Sequence, residues 1–328
     1  MRPRGVLLCL LLALAPLAGA AVPELAMVSE HPIEGMARGN LSGLALCGAE
    51  LWGESDRDDD RVYRFDRAAR VWLAQPKVFD TPAPPPSGLA LEVRMAAWAA
   101  GFVRGGAHDF EGISCDQGGN LYLVSEAHAA VLQVPESGPA RWLLISPRMV
   151  TQAREAGLLR EFNAIFEGLA ISPAGDRLWL AAERQGRGLI ALVRQGSRWD
   201  CDGACVRLSE DREQTPPAGL TPRFPLHADF ADLALYHGKL FTLERNAYSI
   251  CRRDAASAEV EACWSFAGAA LAPSRQYSQP YGLTEALAID EGGAWVGTDN
   301  NEQPRNDGEV RPVVWRFAAP AGGWMGTP

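Results

Sequence analysis

Five short apolar runs in this chain end in an acid, and the spacing of those acids is the sequence feature richest in chemistry. The runs occupy residues 51–56, 121–126, 178–183, 240–244 and 294–299, ending in Asp56, Glu126, Glu183, Glu244 and Asp299. Ahead of each stands a variant of one phrase: Leu41-Ser42-Gly43-Leu44, Phe110-Glu111-Gly112-Ile113, Phe166-Glu167-Gly168-Leu169, Phe230-Ala231-Asp232-Leu233 and Thr284-Glu285-Ala286-Leu287. If phrase and run pair as antiparallel strands, the start of the first lies beside the end of the second. Glu111 then neighbours Glu126, Glu167 neighbours Glu183, and Glu285 neighbours Asp299, while Ser42 faces Asp56 and Ala231 faces Glu244. Carboxylates so close raise one another's pKa unless positive charge lies between them. A bound Ca²⁺ could supply it, because a hard cation gathers several carboxylate oxygens. So could Arg57, Arg184 and Arg245, each of which directly follows a strand-ending acid; these would form a salt-bridge lattice or, facing outward, bind an anion. Both readings stand at this point.

The elements that position these acids follow from the repeat. The runs are aromatic-rich, short and bounded by Gly, Asp or Asn, which are strand signals. Third strands are expected at 62–65, 130–134, 188–192, 247–250 and 313–317, and fourth strands at 71–74, 142–145, 205–208 and 260–266. A four-stranded antiparallel unit recurring at roughly 54 to 69 residues describes the blades of an all-β propeller. The first strands would line the central channel, so the acids ring one mouth. Five repeats are recognisable. The fifth lacks a fourth strand, which residues 23–28 are expected to supply, and the connection 81–107 leaves room for a degenerate sixth blade. Residues 148–162 read as a helix-like connection on the acidic face.

The amino terminus has the form of an export signal. Arg2 and Arg4 precede the apolar stretch 6–14, and Ala18-Gly19-Ala20 supplies small residues at a cleavage point. Residues 1–20 are therefore expected to be removed, leaving 21–328 as one propeller domain in the periplasm or outside the cell, with no membrane span. The six cysteines outside that signal suit an oxidising compartment. Cys201 with Cys205 and Cys251 with Cys263 are the local pairs, and Cys47 with Cys115 follows by elimination. The formal charge of −9 and the absence of a basic stretch interleaved with aromatics exclude nucleic acid as a partner. A small-molecule ligand or substrate remains, and the oligomeric state is left open. The sequence contains no nucleophile elbow, zinc-protease helix or phosphate loop. Asp56, Asp58 and Asp60 mimic the start of a calcium loop but lack its glycine and closing glutamate.

With these residues in place, the chain resembles the phytase-like family described by the esterase-like activity of phytase, exported bacterial propellers. Asn40-Leu41-Ser42-Gly43-Leu44, Ser55-Asp56-Arg57, Asp109-Phe110-Glu111-Gly112-Ile113, Val124-Ser125-Glu126, Phe166-Glu167-Gly168-Leu169-Ala170 and Thr298-Asp299-Asn300 carry the resemblance. It implies hydrolysis of an ester or phosphoester. Ala231-Asp232 departs from the Glu-Gly that the pattern would place there. Two functions are carried forward: a Ca²⁺-assisted hydrolase acting at the acidic mouth, and a non-catalytic propeller that binds a ligand or partner in the cell envelope.

Overall fold

The computed structural model describes residues 22–326 apart from 38, 105, 185 and 280–282, and apart from the side chains of 102–104. The segment 1–20, expected to be an export signal, lies outside the described residues. Five antiparallel units follow one another along the chain. The first comprises Gly43–Cys47, Glu50–Glu54, Arg61–Asp66 and Trp72–Val78. The second comprises Phe110–Cys115, Leu121–Ser125, Ala130–Val134 and Arg141–Trp142. In the third, Phe166–Ile171, Arg177–Ala182 and Arg187–Gln195 meet an outer edge split between Arg198–Asp200 and Val206–Glu210. The fourth is Asp232–Tyr236, Lys239–Glu244, Ser249–Asp254 and Val260–Ser265. The fifth is Thr284–Asp290, Gly293–Thr298 and Val313–Ala318, completed by Met27–Glu34 from the other end of the chain.

The five first strands pack side by side in order, and the fifth returns to the first, so the blades close a ring. This is a five-bladed β-propeller. The closing strand lies at Met27–Glu34 rather than at 23–28. The cause is a prior contact: Leu25 donates to the Ser265 carbonyl and Pro23 accepts from Ser265, so this stretch docks on the fourth blade before the chain crosses to the fifth. Met27–Glu34 also pairs in parallel with the first blade through Ile33 and Trp72. The space held open for a sixth blade contains a helix, α1 (Leu91–Arg104). The connection after the second blade is helical only over α2 (Arg148–Glu155), because Gly157 and Leu159 adopt left-handed φ of 94° and 54°.

The centre of the ring is packed backbone against backbone. A Cβ on Gly43 would lie 2.9 Å from Gly112 Cα, one on Gly112 2.9 Å from Gly168 Cα, and one on Gly168 2.7 Å from Asp232 Cα. Glycine at these positions is what allows five strands to share one axis. Asp232 takes the equivalent place in the fourth blade, and its buried carboxylate accepts the N–H groups of Leu233 and Leu287 at 2.7 and 2.6 Å and that of Leu44. One side chain thus ties three blades across the channel.

The cysteines pair as 47–115, 201–205 and 251–263, with Cα separations of 5.9, 4.7 and 4.1 Å. The first joins the inner strands of blades one and two. No helix among the described residues is long and apolar enough to cross a membrane. Replacing Gly168 by Ala forces a methyl group into the Asp232 and Leu233 backbone, and the expected loss is about 1–3 kcal/mol of stability in a urea titration. An unchanged midpoint would show that the axis is looser than described.

Candidate functional site

The site is built from two positions in each blade. The first is the residue ahead of the small central one. In blades two, three and five the strand register slips there, between Phe110 and Gly112, Phe166 and Gly168, and Thr284 and Ala286. A bulge of this kind re-aims the extra side chain. Glu111, Glu167 and Glu285 occupy the three bulges, and one carboxylate oxygen from each lies within 4.8 Å of the others. The second position is the sixth residue of the second run, counted from Leu51, Leu121, Leu178, Leu240 and Ala294, which are all in register. It holds Asp56, Glu126, Glu183, Arg245 and Asp299.

The fourth blade therefore presents an arginine where its siblings present an acid. Glu244 stands one residue early, and because side chains alternate along a strand it faces away from the mouth. It is bound instead by Arg253 at 2.7 Å and Arg187 at 3.1 Å, which hold its pKa low against burial. The expectation that Glu244 joins the ring is corrected on that ground. Counting from the aligned leucines, rather than to the nearest acid, would have found Arg245.

Arg245 is buried in the mouth among four carboxylates. Its Nε lies 2.8 Å from Asp229, one terminal nitrogen lies 2.6 Å from Glu285 and 3.7 Å from Glu167, and the other pairs with Glu183. Burial works against its charge, but Asp229, Glu167 and Glu285 more than offset this and raise its pKa. Arg184 also pairs with Glu183 and donates to the Asn163 carbonyl at 2.7 Å. Arg57 binds Asp56 at 3.0 Å. None of the three is a bare anion receptor.

The opposite side of the mouth is different. Oxygens of Asp56, Asp109 and Glu111 also lie within 4.8 Å of one another, and burial followed by Glu167, Asp109 and Asp56 pushes the Glu111 carboxyl well above its ordinary range. Burial likewise lifts Glu285 well above and Glu167 above, although Arg245 opposes both. Burial and Asp56 push Asp299 up to about 7. Deeper in, both oxygens of Glu54 are buried with no hydrogen-bond partner among the described residues, and burial with Asp56 and Asp232 pushes this carboxyl well above its ordinary range. A further trio, Glu126, Glu167 and Glu183, reaches toward the third blade, where Glu126 accepts the Ile165 N–H at 2.8 Å. The open part of the mouth is a cleft of about 410 Å³ lined by Asp56, Glu111, Glu167, Glu183, Glu285 and Asp299, the three arginines, His227 and Asn163.

Sequence reasoning thus placed Asp56, Glu111, Glu126, Glu167, Glu183, Glu285, Asp299 and the three arginines at the mouth, where they are found. Asp109 enters the sequence reading only as part of a family motif and Asp232 only as a departure from one, and the parts played here by Asp229 and Glu54 have no sequence signal because their partners are remote in the chain. Asp58 and Asp60 do not face the mouth as a calcium loop: Tyr63 donates to Asp58, and Arg61 pairs with Asp60. Asp59 accepts the N–H groups of Ala107 and His108 at 2.7 and 2.8 Å, fastening blade one to blade two.

The family model described as the esterase-like activity of phytase matches residues 36–219, more than half of the chain and five of the six motifs above. The chain belongs to the phytase-like family. Comparison of this family member with curated proteins gives no match. Among solved structures it is similar to glutaminyl cyclase from Myxococcus xanthus, at 11% identity, over 89% of this chain and 96% of that one, with a TM-score of 0.48. It is also similar to the PQQ-bound aldose sugar dehydrogenase from Streptomyces coelicolor, at 14% identity, over 90% and 98%, with a TM-score of 0.44.

The lifted carboxyls have a consequence for stability. Asp299 loses its proton near the ordinary value of 3.8 when unfolded, whereas burial and Asp56 push it up to about 7 in the folded chain. Between those values the folded state holds the extra proton, so its contribution to stability is present below about pH 4 and declines until the folded group has ionised. In metal-free buffer, Asp299→Asn should therefore show a smaller fall in melting temperature from pH 4.5 to 7.5 than wild type. Parallel profiles would contradict the buried, carboxylate-crowded environment of Asp299.

Proposed function

We propose that the Glu111 side of the mouth seats a divalent cation, Ca²⁺ by its all-oxygen donor set, and that the protein hydrolyses an ester or phosphoester there after export to the periplasm or beyond. The observation that carries this reading is the uneven charge. Arg245 meets the acids of blades three to five, whereas Glu111 is surrounded by Glu167, Asp109, Asp56 and Glu126. Hard cations favour such oxygen clusters. The family description supports hydrolysis of an ester-type bond, and three disulfides fit an oxidising compartment.

In this reading Asp56, Asp109, Glu111 and Glu167 would hold the ion, which polarises a substrate oxygen and acidifies water when bound. Arg245 anchors Glu183 and Glu285, so the acids that flank the ion do not collapse onto it. Asp299, buried in the mouth close to Asp56, is the carboxylate placed to accept a proton from that water. Arg57 and Arg184, each partly exposed at the rim, can meet an anionic portion of the substrate while keeping their partners.

Two experiments follow. Calcium should raise the melting temperature of the mature protein and chelator should lower it, since an ion bound only by the native state stabilises it by mass action. Glu111→Gln should abolish that response while keeping a β-sheet spectrum; a wild type indifferent to calcium would refute the cation. A panel of aryl and phosphate esters should be cleaved with calcium and not with chelator, and Asp299→Asn should lower kcat by about 10²-fold. Binding of calcium with no hydrolysis across the panel would instead favour a ligand-binding propeller.

A further inference from the structure

The connection from blade three to blade four brings an imidazole to the mouth. It contains a two-stranded hairpin, Glu213–Gln214 against Leu226–His227, in which Glu213 faces His227. Both flanks of His227 are tied down: Leu226 is buried, and the Ala228 N–H donates to the Arg212 carbonyl at 2.9 Å. The His227 carbonyl accepts Nδ2 of Asn246 at 3.0 Å. The Asn246 N–H donates in turn to Asp229, the carboxylate that pairs with Arg245 Nε. The imidazole is thus carried by the frame that fixes the charged centre of the mouth.

Its two nitrogens are placed differently. Nδ1 is buried and stands at an ion-pair distance of 3.6 Å from Asp211 Oδ1, whereas the side chain as a whole is 44% exposed. The exposure therefore falls on the far side of the ring, where Nε2 stands, and His227 lines the mouth cleft. A carboxylate beside Nδ1 favours the proton there, which leaves Nε2 to take up and release another.

Position around the propeller gives the role. Asp56 belongs to blade one, and Asp109 and Glu111 to the start of blade two. His227 stands at the entry to blade four, two blades from the second, which is the greatest separation a ring of five allows. Water activated beside Glu111 and the imidazole of His227 therefore address a substrate from opposite walls of one cleft. His227 is the only imidazole lining that cleft among the described residues. The arginines there are paired with carboxylates and keep their protons. With Asp299 accepting the proton of the water, the reaction still needs a donor for the departing oxygen.

We propose that His227 is that general acid: its Nε2–H protonates the alcohol oxygen as the ester-type bond breaks. The water oxygen forms the new bond, its proton passes to Asp299, the leaving oxygen takes the His227 proton, and exchange with solvent resets both groups. The assignment rests on the hydrolytic reading above and adds a substrate class to it, esters of weakly acidic alcohols, whose alkoxides do not leave without a proton.

Two substrates that share one acyl or phosphoryl group test it: the 4-nitrophenyl ester, whose phenolate leaves unprotonated, and the benzyl ester, whose alkoxide does not. The wild type should cleave both with calcium present. His227→Gln should raise the ratio of kcat/KM for the nitrophenyl over the benzyl substrate by about 10²-fold, a typical contribution of a general acid. A second measurement needs no variant to fold. Heavy water should slow the wild type more on the benzyl substrate, because only there is a proton in flight to the leaving oxygen. An unchanged ratio in His227→Gln, equal slowing in heavy water, or a wild type that cleaves only the nitrophenyl ester would overturn the general acid and leave the hydrolase standing. A wild type that cleaves neither would overturn the hydrolytic reading and the part of His227 in it together.

Discussion

Five strands pass one axis at backbone contact distance, and much of the site follows from that constraint. Little side-chain volume fits at the axis, so Gly43, Gly112, Gly168 and Ala286 stand where the strands meet, with Asp232 of the fourth blade as the exception. In blades two, three and five the register slips just ahead of the small residue, and the slipped residue is turned toward the mouth. All three slipped residues are glutamates. Their convergence is a consequence of how the ring closes, since each strand is held within its own blade by an ordinary antiparallel ladder.

The fourth blade is the exception that makes the crowding tolerable. It replaces the bulge glutamate with Ala231, the axial glycine with Asp232 and the strand-end acid with Arg245. Asp232 satisfies backbone donors from three blades, and Arg245 offsets the acids of its neighbours. Removing either partner of such a buried pair leaves an uncompensated charge, which is more costly than the pair itself is stabilising. The protein thus has one half of its mouth neutralised from within and another half, around Glu111, where carboxylates predominate. That asymmetry, rather than the number of acids, is what points to an external cation.

Much of this was legible in the sequence because the repeat states each strand five times over. Paired phrases located four of the five strand-end positions, and their antiparallel logic brought the correct acids together. Glu244 was misplaced because proximity to the run's end was allowed to outweigh the two-residue alternation that decides facing. Helix α1 was read as room for a blade, although Leu91, Glu92, Arg94, Met95, Ala96 and Ala97 are strong helix formers. Val93 is buried in the core, but Leu91, Met95 and Trp98 lie outward, more than half exposed, so most of the helix's apolar residues do not mark its buried face. The roles of Asp232 and Glu54 had no local signal at all, being set by backbone groups and charges brought in from other blades.

The central claim is that an ion completes the Glu111 side of the mouth. Anomalous diffraction from crystals of the mature protein grown with manganese, a divalent stand-in for calcium with oxygen ligands, tests it most directly. A peak is predicted within coordination distance of Glu111 and at least two of Asp56, Asp109 and Glu167, with Arg245 unmoved among Asp229, Glu183 and Glu285. A mouth without anomalous density, its carboxylates held by arginines and protons alone, would contradict the account.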